Sequence, residues 1–201
     1  MKLVVHPSRL RGEICVPGSK SHTIRGIAVG LLAEGEVTLR HPLRSADTLS
    51  VLRAAGELGL AVPDSGQEWR FQGLGGAFRP VSRPLDLGNS GTGLCILTAL
   101  AATQGFPCHF DGDASLRSRS LQSELEALAA LGARQSSTAG KCPLMVCGPL
   151  AGGETTVDGS NSQYLTALLF AAPLAAADTD IRLRFLREKP YVAMTLDWLG
   201  R

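Results

Sequence analysis

Apolar residues recur along this chain with two alternating periods, which divide it into short helices and short strands. Over residues 21–33, Ile24, Ile27, Ala28, Leu31 and Leu32 follow helical spacing, and Gly35 supplies the stop. A strand is predicted over residues 36–40. A second helix is predicted over residues 48–58, capped by Asp47 and ended at Gly59. Strands are then expected near residues 60–62 and 69–72, on either side of the turn signal Pro63-Asp64-Ser65-Gly66. Ahead of all these, residues 2–16 alternate and carry β-branched side chains around Arg11-Gly12-Glu13, which predicts two short strands flanking a turn.

The same order then returns. Gly88-Asn89-Ser90-Gly91-Thr92-Gly93 opens an Ala/Leu-rich helix reaching residue 102, followed by a strand over 108–111, a helix over 120–131 and strands around 133–135 and 144–147. A third copy starts at Gly159-Ser160-Asn161-Ser162-Gln163, continues as a helix over 164–172 and a strand over 180–185, and enters another helix at Pro190. The repeat is roughly 70 residues of helix, strand, helix and strands, the signature of one supersecondary unit used three times. Three equivalent polar helix starts would direct three anion-friendly N-termini alike. The third copy stops at Trp198-Leu199-Gly200-Arg201, before its last strands, so the chain is expected to be one part of a longer or split protein.

Composition narrows the partners. A net charge of +2 and only 5% aromatic residues argue against nucleic acid and favour small anions. Leu3-Val4-Val5 is too short for a signal peptide, and the stretch 165–177 is interrupted by Thr166 and Pro173, so the chain reads as cytosolic. Cys142 and Cys147 have no companion Cys or His cluster, which favours reduced, buried thiols over a zinc site; His6, His22, His41 and His109 are scattered, and no metal ligand is assigned.

The chemistry concentrates in Pro17-Gly18-Ser19-Lys20-Ser21-His22-Thr23-Ile24-Arg25-Gly26, where hydroxyls and two cations stand directly ahead of an apolar helix. A helix start offers free N–H groups and partial positive charge, so an anion placed there meets both. An ordinary serine cap beside a solvated lysine would use the same residues. A P-loop is excluded, because Ser19 stands where that motif requires glycine before the lysine.

Five motifs, in order, carry a resemblance. Pro-Gly-Ser-Lys-Ser at 17–21 with Arg25, Gly-Asn-Ser-Gly-Thr at 88–92, Gly-Asp-Ala-Ser-Leu-Arg-Ser-Arg at 112–119, Ser-Gln-Tyr-Leu-Thr-Ala-Leu-Leu at 162–169 and Lys-Pro-Tyr at 189–191 resemble the 5-enolpyruvylshikimate-3-phosphate synthase family, over its N-terminal half. The resemblance implies an α/β fold, an inside-out α/β barrel of three βαβαββ-type units with the last incomplete. It implies that residues 1–14 belong to the other domain and residues 15–201 to one enolpyruvyl transferase domain. The implied reaction moves the enolpyruvyl group of phosphoenolpyruvate to the 5-hydroxyl of shikimate 3-phosphate, in the cytoplasm, with no metal or organic cofactor and with a C-terminal half as partner.

By motif position, Lys20, Asn89, Gly91, Arg119 and Gln163 should bind phosphoenolpyruvate, with Lys20 also catalytic, and Lys20, Ser21, Arg25, Asn161, Ser162, Gln163 and Tyr191 should bind shikimate 3-phosphate. Four positions depart from the family pattern: Cys95 replaces a common arginine, Ser120 a proline, Asn161 the first of two serines, and Glu188 the serine before Lys-Pro-Tyr. Asn161 and Glu188 fall in the expected acceptor-phosphate pocket, so they bear on the acceptor more than on the reaction. Two alternatives stay open: an enolpyruvyl transferase with a nucleotide or UDP-sugar acceptor, disfavoured because Ala114 stands where the amino-sugar branch carries a reactive cysteine, and a non-catalytic ligand-binding half.

Overall fold

In the computed structural model, which describes residues 2–9, 11–61 and 66–200, three α/β units follow one another. The first holds α1 (Lys20–Leu32), β1 (Glu36–Arg40), α2 (Ala46–Leu58) and β2 (Glu68–Gln72). The second holds β3 (Leu85–Asp86), α3 (Gly91–Ala101), β4 (Cys108–Asp111), α4 (Ala114–Ser118), α5 (Gln122–Ala130), β5 (Arg134–Thr138) and β6 (Lys141–Cys147). The third holds β7 (Gly153–Val157), α6 (Ser162–Ala171), β8 (Thr179–Leu183) and α7 (Lys189–Leu199).

The second unit displays the whole pattern, in the strand order β3-β4-β6-β5. Its antiparallel β4–β6 ladder has a counterpart in β1–β2, where Glu36 faces Gln72, and its parallel β3–β4 ladder has one in β7–β8, where Gly153 faces Thr179. The repeat read from the sequence is therefore a repeat of strand pairing as well.

Helices α1, α3 and α6 form the inside. On α1, Ile24, Ile27, Ala28 and Leu31 are at most 1% exposed, while α3 buries every residue from Gly93 to Ala101 and α6 buries Phe170 and its apolar neighbours. A helix covered on nearly all sides must be apolar all round, which is why the Ala/Leu-rich stretches became central. Gly26 makes this possible on α1, because a Cβ there would run into the side chain of Leu39 on β1. From the outer layer, Trp69 and Phe71 of β2 point inward and close the core over the first unit.

Several expectations need correction. Residues 2–9 and 11–16 form no strand; Leu3, Val4, Val5, Ile14 and Val16 are 65 to 89% exposed, and an alternating pattern without a neighbouring strand leaves backbone groups to water. Asp47 does not cap α2. Ser45 does, in a reciprocal box with Thr48, and Asp47 sits in the first turn. Leu60 and Ala61 are not in a strand, and Val62 with the turn residues 63–65 lies outside the described residues. The helix expected over 120–131 is shorter, Gln122–Ala130, because Ser120 turns its hydroxyl to Ala139 O at 2.7 Å and accepts from Gln122 N. The sequence reading missed β3, β7 and α4. Of the five cysteines, all free, Cys15 is exposed and the other four are buried.

Candidate active site

Three of the helices start at one place. Ser19 Oγ accepts from His22 N at 3.4 Å at the head of α1, Ser90 Oγ from Gly93 N at 3.3 Å at α3, and Asn161 Oδ1 from Gln163 N at 3.0 Å at α6. Each cap satisfies one first-turn N–H and leaves others available. Between these starts and that of α7 lies a pocket of ≈190 Å³, lined by Lys20, Ser21, Arg25, Thr92, Ser162, Gln163, Glu188 and Tyr191. A larger opening of ≈530 Å³, between α1 and β1 beside Trp198, contains none of the predicted residues. Convergent charge rather than size singles out the smaller one.

Three cations serve this region, each held differently. Arg25 is only 2% exposed and is tied at four points: Nε donates to Thr195 Oγ1 at 2.9 Å, Nη1 to Ser21 O at 3.1 Å, and Nη2 to Thr166 Oγ1 at 3.2 Å and Tyr191 O at 3.1 Å. All four acceptors are neutral, and no carboxylate among the described residues pairs with it. Burial pulls its pKa down to about 10. A guanidinium has five N–H donors, so one remains beyond these four bonds, and a buried cation unpaired with a carboxylate favours an arriving anion.

Lys20 and Arg119 sit nearer the solvent. Lys20 Nζ is 2.9 Å from Asp47 Oδ2, the same Asp47 that the sequence reading had placed as a cap. Arg119 Nη2 donates to Asn89 Oδ1 at 2.7 Å and to Ser115 Oγ at 3.3 Å, which lays the guanidinium over Gly91: a Cβ on that glycine would stand 2.9 Å from Nη1 and 3.6 Å from Gln163 Oε1. Gln163 is itself fixed, its Nε2 donating to Thr92 Oγ1 at 3.0 Å and its Oε1 facing the Cys95 thiol at 3.8 Å.

Behind Gln163 the polarity falls away. Cys95 is 2% exposed and Glu124 fully buried, and the Glu124 carboxyl faces the Cys95 thiol, a weak hydrogen-bonding partner. Burial pushes the Glu124 carboxyl well above the usual range, and burial likewise raises the Cys95 thiol.

The structure thus gathers Lys20, Ser21, Arg25, Ser162, Gln163 and Tyr191 around the pocket, with Asn89, Gly91 and Arg119 along the α3 side. Asn161 is adjacent but spends its side-chain oxygen capping α6. Sequence reasoning missed the residues that hold these groups: Asp47, Thr92, Ser115, Thr166 and Thr195. Thr92, Ser115 and Thr166 lie inside the quoted motifs, but Thr195 meets Arg25 across 170 positions and leaves no local signal.

The EPSP synthase (3-phosphoshikimate 1-carboxyvinyltransferase) family model matches residues 4–201. The 3-phosphoshikimate 1-carboxyvinyltransferase of Acetivibrio thermocellus is 38% identical, covering 100% of this chain and 48% of the relative. That of Methanothrix thermoacetophila is 40% identical with the same coverage, 100% and 48%. Among solved structures, EPSP synthase from Acinetobacter baumannii superposes with a TM-score of 0.82 at 27% identity, covering 91% of this chain and 42% of that one. The chain spans about half the length of the curated relatives it matches. With the threefold inside-out fold, the ordered motifs and the convergent helix starts all in agreement with these matches, the chain belongs to the EPSP synthase family.

Proposed function

We propose that this chain supplies the N-terminal half of the active site of a 3-phosphoshikimate 1-carboxyvinyltransferase, which moves the enolpyruvyl group of phosphoenolpyruvate to the 5-hydroxyl of shikimate 3-phosphate and releases phosphate. The observation that carries the reading is the buried Arg25 guanidinium, lining a pocket built from helix starts and paired with no carboxylate among the described residues. Both substrates are polyanions, and preorganised cations and N–H dipoles are the groups that stabilise them and the departing phosphate. In this reading Arg25, Ser21 and Tyr191 hold the acceptor's ring and carboxylate, and Ser162 with Asn161 meets its phosphate. Lys20 and Arg119 grip phosphoenolpyruvate, Asn89 aims Arg119, and Gln163 touches both substrates. Residues 1–14 belong with a second domain, a C-terminal half supplies the remaining cations and the proton-transfer groups, and the reaction takes place in the cytoplasm.

The test is phosphate release from phosphoenolpyruvate and shikimate 3-phosphate by the 201-residue chain alone and joined to the C-terminal half of the Acetivibrio thermocellus relative. The joined protein is expected to turn over. The chain alone is not, because displacing one catalytic group by about 1 Å already costs on the order of 100-fold. Turnover by the chain alone overturns the half-site reading, and an inactive but folded joined protein overturns the assigned reaction.

Gly91→Ala tests the donor side. The new methyl would press on the Arg119 guanidinium at 2.9 Å, and that flexible end would move. In the joined protein, KM for phosphoenolpyruvate is expected to rise about tenfold or more, the scale set by loss of one charge-assisted contact, with little change in melting temperature. A large loss of melting temperature at unchanged KM would assign Gly91 to backbone conformation instead.

A further inference from the structure

We propose that Glu188 is a built-in carboxylate occupying the acceptor's phosphate pocket, where it sets how the site discriminates between phosphorylated and unphosphorylated acceptors; this rests on the acceptor reading above. Ser162 Oγ donates to Glu188 Oε2 at 2.8 Å, and Ser162 N approaches the same oxygen at 3.5 Å. One carboxylate oxygen thus takes both the hydroxyl and the first backbone N–H of α6, the two donors that a phosphate oxygen at this helix start would need. Ser162 is 2% exposed, and Glu188 stands on its pocket side.

The backbone of Glu188 is arranged for this reach. It occupies the left-handed region, φ 52° and ψ 40°, at the N-cap of α7, a conformation that non-glycine residues adopt at a cost. Its side chain makes no capping bond to α7 and crosses to the neighbouring helix instead. The flanking cations do not neutralise it: among the described residues, neither Arg187 nor Lys189 forms an ion pair with Glu188.

A phosphate and this carboxylate are like charges competing for the same donors, so a phosphorylated acceptor binds only after Glu188 is turned out. A hydroxyl in the phosphate's place faces no such conflict, since it can donate to the carboxylate that is already there. Glu188 therefore weakens phosphate selectivity while leaving the rest of the acceptor's contacts intact.

The experiment titrates the 201-residue chain with shikimate 3-phosphate and with shikimate, at one fixed ionic strength because screening acts directly on like-charge repulsion. Parent, Glu188→Ser and the near-isosteric Glu188→Gln are compared, with circular dichroism confirming that each is folded. The ratio of shikimate 3-phosphate to shikimate affinity is expected to rise on the order of tenfold in Glu188→Ser and by a smaller factor in Glu188→Gln, which keeps an oxygen on Ser162 but not the charge. An unchanged ratio in both folded variants, with both compounds binding, overturns the role of Glu188 and leaves the acceptor reading standing. Absence of binding by either compound to all three proteins overturns the acceptor reading, and this inference with it.

Discussion

An Arg25→Met variant of the joined protein is expected to lose at least about 100-fold in kcat/KM for shikimate 3-phosphate while remaining folded, the loss expected when a preorganised charged donor is removed from a water-poor site. The two effects separate because of how Arg25 is held. Its four bonds are charge-assisted and favourable, but the burial that pulls its pKa to about 10 is a desolvation cost of the opposite sign. Methionine keeps the apolar stem and removes both terms together. The groups left behind are not stranded, since Thr166 and Thr195 hydroxyls lie 3.0 Å apart and Tyr191 O still accepts from Thr195 Oγ1 at 2.9 Å. Unfolding free energy by urea titration should therefore change by no more than about 2 kcal/mol. Unchanged kcat/KM would make Arg25 a structural tie between α1, α6 and α7, and a variant that fails to fold would do the same.

Glu124→Gln should stabilise the chain by an amount that grows with pH. The Glu124 carboxyl is pushed well above its ordinary range by burial, so the folded state binds a proton that the unfolded state releases near pH 4.3. Folded stability is accordingly undiminished below that value and falls as pH rises from it toward the raised folded value, at up to about 1.4 kcal/mol per pH unit. Glutamine has no such titration. Urea unfolding of parent and variant at pH 5, 6.5 and 8 should show a widening gap in favour of the variant. A gap that stays constant across the three would mean that Glu124 does not titrate differently on folding.

What the sequence revealed of this fold depended on how local each determinant is. Helix α1 and strands β1 and β4 were legible because spacing, cap and stop lie within one short stretch. Strand β7 was not, since Glu154 and Thr156 are exposed and only Thr155 and Val157 turn inward, where Thr155 Oγ1 bonds Ala127 O at 3.0 Å. The α2 cap went to Asp47 because both Ser45 and Asp47 precede the apolar run, and only the observed box with Thr48 separates them. The alternation in residues 2–16 predicted strands that have no partner to pair with among the described residues. At the site, six of the eight residues lining the pocket stand at the motif positions read from the sequence, Thr92 was passed over, and Glu188 was visible as a departure. Its bond to Ser162, and the ties of Lys20 to Asp47 and of Arg25 to Thr195, arise from elements far apart in the chain and had no local sign.

The helices whose starts form the pocket, α1, α3 and α6, are also the most deeply buried elements of the fold. Amides in their hydrogen-bonded interiors should exchange with solvent only through global opening, so the pocket-lining first turns are joined directly to the slowest-exchanging core. Occupancy of the pocket then cannot be confined to a local ordering event. Any ligand bound there raises the free energy of opening for the whole molecule, by about 2.7 kcal/mol at a concentration 100 times its Kd. A thermal-shift or native-state exchange experiment on the unlabelled chain would thus report occupancy of this pocket, even where no turnover is available to follow.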